Sequence, residues 1–200
     1  MSGNTGRTYW LQAVGKSYFF CMKQTLFDTG SQRCLTITHP VCNVSFVIDM
    51  SAHCPRIVSL HLNEKSRGVD DFAIDPILRS VKETIIGFLD GKIKDLSKLR
   101  IDLTRHPPFT QKVLRAARSI RWGKTLSYAD LAKRVGNPGA IRAVASVMRN
   151  NPFPLIIPCH RVIRSNGSIG GFMGKTGGKE IELKIRLLER EKTKIGRITE

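Results

Sequence analysis

Apolar and polar positions follow two different periods along the chain. In the first hundred residues, "TYWLQAVGKSYFFCMKQTLFDTG" and "CLTITHPVCNVSFVIDM" are rich in aromatic and β-branched residues, with Gly and Pro as punctuation. That pattern predicts strands. "DPILRSVKETIIGFLDGK" then sets Ile77, Val81, Ile85 and Phe88 at helical spacing and ends near Gly91, which predicts a helix. "IDLTRHPPFTQ" reads as a linker, because paired prolines cannot continue a helix or a central strand.

Beyond the linker the period is helical. "TQKVLRAARSIRWG" places Val113, Leu114, Ala117 and Ile120 on one face, basic residues on the others, and a stop at Gly123. In "LSYADLAKRVGNPGAIRAVASVMRNNP", Ser127 followed by Asp130 resembles a capping box with Asp in place of Glu. Leu131 and Val135 make the inner face of that helix. "GNPG" breaks it, and Pro138 suits the first turn of a second helix running to about Asn150. Helix, tight turn, helix is the arrangement that can lay a second helix on DNA, although plain helical hairpins are commoner. The second helix carries Arg142 and Arg149, and its middle, with Ala143, Ala145 and Ser146, would let a backbone or base edge come close. Lys133 and Arg134 precede it.

Charge sharpens that reading. The 200 residues carry a formal net charge of +17, which points to a polyanionic partner. Residues 1–103 hold 13 Lys/Arg against 10 Asp/Glu, whereas residues 104–200 hold 20 against 6. The polyanion is therefore expected at the C-terminal half. No apolar run approaches the roughly 18–20 residues of a membrane span, and "MSGNTGRTYW" lacks the regions of a signal peptide. These features lead to the expectation of a cytoplasmic protein without membrane contact. Five cysteines without CxxC pairs argue against a disulfide framework or zinc ribbon. Cys21, Cys34, Cys42 and Cys54, with His39, His53 or His61, match no standard ligand spacing and read as ordinary buried cysteines, although a disulfide or metal site among them stays open.

The chemistry lies in "LIIPCHRVIRSNGSIGGF", where the apolar Leu155, Ile156 and Ile157 run into a proline and then Cys159, His160 and Arg161. Cysteine reacts as a thiolate and needs a neighbour that lowers its pKa or takes its proton. Adjacent residues of a strand face opposite ways, so His160 could assist Cys159 only in a turn or a first helical turn, which Pro158 suits. In the last helix, "EIELKIRLLEREK", Ile181, Ile185 and Leu188 read as the inner face. Glu191 or Glu189 is then free to sit behind the imidazole, following the triad logic.

"IPCHRVI", preceded by "MRNNPFPLI" and followed by "NGSIGGF", resembles the active-site signature of the O6-alkylguanine-DNA alkyltransferases. "GKTLSYADLAKRVGNPGAIRAVA" is similar to that family's helix-turn-helix. The likeness covers roughly residues 105–191. It implies an α/β, ribonuclease-H-like N-terminal domain over residues 1–103. A mainly α, winged-helix-like domain over residues 104–200 would bind DNA and transfer the alkyl group. The implied function is irreversible, stoichiometric transfer from O6-alkylguanine, and also O4-alkylthymine, to Cys159. The partner would be double-stranded DNA, acted on by a monomer after a nucleotide is flipped through the minor groove.

The resemblance also assigns roles. Cys159 is the nucleophile, His160 a water-mediated base, Glu191 the acid that holds it (Glu189 the alternative), and Tyr128 the donor to guanine N3. Asn151 braces the turn. Arg142 fills the gap left by the flipped nucleotide, with Thr110, Ala143, Ala145, Ser146 and Ser165 joining Tyr128 against DNA. Pro154, Val162, Gly170, Phe172 and Met173 shape the pocket. Phe172 lacks the hydroxyl of a tyrosine common at its position, and Met173 is larger than the small residue seen in some relatives. The zinc ligands of some members have no counterpart, so neither metal nor other cofactor is implied. "GSIGG" is too short for a dinucleotide fingerprint.

Three rivals remain at this stage. A lesion-binding relative without transfer would lack the cysteine. A helix-turn-helix regulator would prefer one undamaged sequence. A cysteine hydrolase would turn over repeatedly and need an oxyanion hole, leaving the basic half and Arg142 without purpose.

Overall fold

The computed structural model describes residues 32–51, 55–63 and 75–192. Strands β1 (Gln32–Ile37), β2 (Val44–Asp49) and β3 (Arg56–Leu62) form an antiparallel sheet in that order. Leu35 pairs with Phe46, and Phe46 with Leu60. Alternation buries Val44, Phe46 and Ile48 on one face of β2, each such side chain contributing roughly 1.5–3 kcal/mol. The earlier stretch expected to form strands, residues 8–30, lies outside the described residues, as do Cys21, His53 and Cys54. Cys34 lies in β1 and Cys42 is buried just before β2, its thiol pushed up to about 12 by burial. His39 is bonded to Asp90 at 3.1 Å.

Helix α1 (Pro76–Leu89) starts where Asp75 accepts from Ile77 N at 2.7 Å, a cap contributing about 1 kcal/mol. Its inner face is Leu78, Ile85, Phe88 and Leu89. The predicted face is thus rotated: Ile77 is 43% exposed and Val81 only half-buried. Ile85 and Phe88 fit either of two overlapping stripes, and Leu78 with Leu89 adds more buried apolar surface than Ile77 would.

Helix α2 (Pro108–Arg118) places Pro108 at its first position, where a missing N–H costs nothing, and buries Val113, Leu114 and Ala117. A two-residue strand, β4 (Leu126–Ser127), leads into α3 (Tyr128–Arg134). Ser127 caps α3 by accepting from Asp130 N at 3.0 Å, while its hydroxyl donates to Asp130 Oδ2 at 2.7 Å. The carboxylate therefore engages the cap's side chain, unlike a standard capping box, where it reaches the cap's backbone N–H. After a turn comes α4 (Ile141–Arg149), so Pro138 falls in the turn and outside the helix it was expected to open. Helices α2, α3 and α4 pack on one another.

Helix α5 (Lys179–Arg190) buries Leu183, Lys184, Leu187 and Leu188. Ile181 and Ile185, expected inside, are half-buried. The inner stripe is shifted so that a lysine points inward. Together the sheet and five helices make a mixed α/β architecture, and no helix of the described residues is long and apolar enough to cross a membrane.

Backbone hydrogen bonds tie β3 to later segments of the chain. Ile57 N donates to Arg100 O at 2.8 Å, and Leu60 N to Pro152 O at 2.9 Å. The second tie steadies the turn ahead of the reactive segment.

Candidate active site

Residues 153–162 are all buried, yet they form turns and no strand until β5 (Val162–Ile163), which pairs in parallel with β4. Leu155 adopts φ 71°, a left-handed conformation that a branched side chain takes only under constraint from its surroundings. Pro158, at φ −78° and ψ 68°, makes an inverse γ-turn in which Cys159 N donates to Ile157 O at 2.8 Å. Cys159, His160 and Arg161 then form a single 3-10 turn.

Asn151 fixes this segment. Its Nδ2 donates to Ile157 O at 2.8 Å, its Oδ1 accepts from Phe153 N at 3.0 Å, and its side chain also hydrogen-bonds Cys159. Burial raises the Cys159 pKa, opposed by the Asn151 bond and the Lys184 charge. A buried thiol opposed in this way needs a proton acceptor to become a nucleophile.

The next residue in the chain carries an imidazole. His160 is fully buried, and its Nε2 lies 2.8 Å from Glu191 Oε1. Burial would push the Glu191 carboxyl up, but hydrogen bonds from His160 and Arg161 outweigh it and hold the pKa at about 2. An ionised carboxylate only accepts, so Nε2 must carry the proton and Nδ1 keeps its lone pair. Nδ1 is buried and has no hydrogen-bond partner among the described residues. Burial also lowers the His160 pKa, which keeps the ring neutral.

Glu191 is itself over-determined. Arg161 grips it with Nε at 2.9 Å and Nη2 at 2.8 Å, and Gly123 N donates to Oε2 at 3.0 Å. A Cβ on Gly123, at φ +71°, would sit 3.1 Å from Glu191 O, so glycine is required there. Arg161 is buried, donates to Ile120 O at 2.6 Å, and stacks over Trp122, whose ring meets Phe88 edge-on at 5.2 Å. Glu189, the alternative acid, is exposed.

Cys159 opens on a cavity of about 300 Å³ whose lining includes Tyr128, Met148, Phe172 and Met173. Burial raises the Tyr128 hydroxyl to about 12, and the hydroxyl donates weakly to Gly171 O at 3.4 Å. Pro154 and Val162 are buried and Gly170 half-buried, and none of the three lines the cavity. Val162 O accepts from Lys184 Nζ at 2.7 Å. Of the residues expected against DNA, Arg142 and Ala145 line the cavity mouth, and Ala143 and Ser146 are exposed on α4. Thr110 is half-buried in the first turn of α2, and Ser165 is exposed just after β5.

Sequence reasoning passed over Lys184. It is fully buried and donates to Val162 O, Ile169 O and Gly171 O, at 2.7, 2.7 and 3.1 Å. Burial lowers its pKa to about 8. The available signal was a lysine next to Leu183 and one turn from Leu187 and Leu188, where a polar residue is unexpected.

The chain is similar to known proteins. Residues 108–193 match the family model for the DNA-binding domain of 6-O-methylguanine DNA methyltransferase. A methylated-DNA--protein-cysteine methyltransferase of Methanothermobacter thermautotrophicus is 40% identical over 57% of this chain and 61% of its own. The constitutive enzyme of Bacillus subtilis is 36% identical over 58% of this chain and 67% of its own. A crystal structure of Mycobacterium tuberculosis OGT in complex with DNA superposes with a TM-score of 0.63 at 31% identity, covering 80% of this chain and 92% of that one. The sequence match thus spans under two thirds of some relatives' length, while the structural match spans nearly all of the mycobacterial protein. The fold is that of the alkyltransferases, with a cysteine, a histidine and a carboxylate at its buried centre. The chain belongs to the O6-alkylguanine-DNA alkyltransferase family, the methylated-DNA--protein-cysteine methyltransferases.

Proposed function

We propose that the protein repairs DNA by moving an alkyl group from guanine O6, and by the same geometry from thymine O4, to Cys159. The observation that carries this reading is the cavity of about 300 Å³ lined by Cys159 and Tyr128, with His160 of the buried His160–Glu191 pair next to Cys159 in the 3-10 turn. In the transfer, His160 Nδ1 takes the thiol proton through a water, and Glu191 stabilises the imidazolium that results. The sulfur attacks the alkyl carbon, the carbon–O6 bond breaks, and Tyr128 gives its proton to N3 of the departing guanine. The thioether has no leaving group, so one molecule repairs one lesion. No cofactor enters any step.

A methyl on O6 lies inside the stack, so the nucleotide must leave the duplex at a cost of a few kcal/mol. Arg142, exposed at the start of α4, is suited to fill the gap, and Ala143, Ala145 and Ser146 let the helix approach a narrow groove. Tyr128, Thr110 and Ser165 complete the DNA-facing set, and Asn151 holds the reactive turn. Phe172 and Met173 wall the alkyl group, backed by Pro154, Val162 and Gly170. In this reading residues 1–103 form a supporting domain of ribonuclease-H-like character, and residues 104–200 a winged-helix-like domain that acts on duplex DNA as a cytoplasmic monomer.

The test is a mass spectrum after mixing the protein with excess duplex containing O6-methylguanine. One added methyl on the peptide bearing Cys159, never two, is the expected result, and Cys159→Ala should bind the duplex and gain nothing. Unchanged mass with DNA bound would make the chain a lesion binder. Repeated turnover would make it a hydrolase or another enzyme.

A further inference from the structure

The transfer described above leaves one charge unaccounted for. When Tyr128 gives up its proton it becomes a phenolate in a site where burial, with the nearby Cys159, already opposes ionisation and holds the hydroxyl at about 12. Something must offset that anion at the moment it forms.

Two arginines face it. Arg164 and Arg149 both line the cavity, and both act on the Tyr128 hydroxyl in the sense that favours ionisation. They arrive from different elements, Arg164 just after β5 and Arg149 from the last turn of α4. Among the described residues no carboxylate forms an ion pair with either. Their positions are set by backbone. Arg164 N donates to Ser168 O at 2.9 Å and Gly167 N to Arg164 O at 3.0 Å, closing a tight turn. At Gly170, φ +69°, a Cβ would lie 3.3 Å from Arg164 Cγ and 3.5 Å from Tyr128 Cε2. The arginine stem and the tyrosine ring therefore close over the same glycine. At Gly174, φ +81°, a Cβ would lie 3.5 Å from Arg149 Cγ. Gly170 thus gives the Arg164 stem room beside the tyrosine ring, and the Arg149 stem lies in ordinary contact distance of Gly174.

We propose that Arg164, with Arg149 across the cavity, is a positioning residue that stabilises the phenolate formed on Tyr128 while guanine departs. The inference rests on the transfer proposed above. The electron pair of the breaking carbon–O6 bond passes into guanine, N3 takes the Tyr128 proton, and the phenolate persists until it recovers a proton from the His160 imidazolium through solvent. Over that interval two guanidiniums and one phenolate share a partly dry pocket, where opposite charges attract more strongly than in water. An arginine that gripped a phosphate would also be exposed and unpaired, but it would have no need to share a glycine with the tyrosine ring.

The test is a double-mutant cycle on the single-turnover transfer rate from saturating duplex O6-methylguanine. Arg164 is exposed, so its variants should fold. Arg164→Gln should slow transfer by about fivefold, the scale of a partly exposed charge pair. Arg164→Lys should recover most of the rate. In the Tyr128→Phe background, Arg164→Gln should cost nothing further, because no phenolate forms. An equal loss in both backgrounds, or a loss seen only as weaker DNA binding, would overturn the proposal and assign Arg164 to the phosphates. Absence of transfer by the unaltered protein would overturn the underlying reading, and this inference with it.

Discussion

His160 Nε2 lies 2.8 Å from Glu191 Oε1, and the two residues, 31 apart in sequence, are both buried. The pair is held from outside by the two-pronged grip of Arg161 on the same carboxylate. Cation, carboxylate and imidazole form one unit, so removing the central charge damages both ends.

Glu191→Gln keeps an acceptor for His160 but leaves buried Arg161 without its counter-charge, which should cost about 3–5 kcal/mol. The sign of the pH dependence follows from the shifts. The carboxyl is depressed to about 2 from an ordinary 4.5, so its stabilisation is complete above 4.5 and is lost as pH falls towards 2. His160 is depressed below 6.5, and protonating it on acidification costs stability as well. Melting curves from pH 7 to pH 3 should show the gap between the natural protein and Glu191→Gln narrowing with acid. A gap that holds constant would remove Glu191 from the ion pair.

Asn151→Ala removes three hydrogen bonds that fix the reactive turn and one of the influences that lower the Cys159 pKa. Loss of bonds to buried backbone groups should cost about 1–3 kcal/mol. The rate of Cys159 alkylation by a small electrophile, followed against pH, should shift to higher pH. A fall in stability with an unmoved profile would restrict Asn151 to bracing the turn.

The difference between what the chain revealed and what it hid has a physical basis. The strands of residues 34–49 and the helix-turn-helix are local, and local pattern carries them. Glu191 and Glu189 both follow the apolar stripe of α5, and only the packing that turns Lys184 inward places Glu191 at the helix end against Arg161 and leaves Glu189 in solvent. Ile77 lost its place to Leu78 for a similar reason, since one residue of rotation keeps Ile85 and Phe88 inside on either stripe. Lys184 was hidden because its partners are carbonyls, Val162 O, Ile169 O and Gly171 O, and every residue type presents a carbonyl.

Lys184→Met should uncouple the pocket loop from β5. The buried Val162 O and Ile169 O, and the part-buried Gly171 O that Tyr128 also reaches, would lose this donor, at about 1–3 kcal/mol for each left unsatisfied, offset in part by removing a buried charge. The lysine pKa is lowered to about 8 from 10.5, so between those values the unfolded chain binds the extra proton and the natural protein gains stability as pH rises. The variant lacks that gain. The difference in melting temperature should therefore be wider at pH 9.5 than at pH 7, and a narrower gap would show that the fold favours the lysine cation, with its pKa raised and not lowered.

Arg142→Ala separates transfer chemistry from extrusion of the base. Arg142 is exposed at the start of α4 and lines the same cavity as the buried Cys159. The substitution removes no buried contact, so stability should change by no more than about 0.5 kcal/mol. A free O6-alkylguanine base needs no extrusion and should react at nearly the natural rate. A lesion in duplex must be unstacked, and without a side chain to fill the gap the flipped state loses part of what balances a cost of a few kcal/mol. Each 1.4 kcal/mol lost is about a tenfold drop in its population, so duplex repair should slow by about tenfold or more. Slowing free base and duplex equally would place Arg142 in the alkyl pocket, with no role in the helix gap.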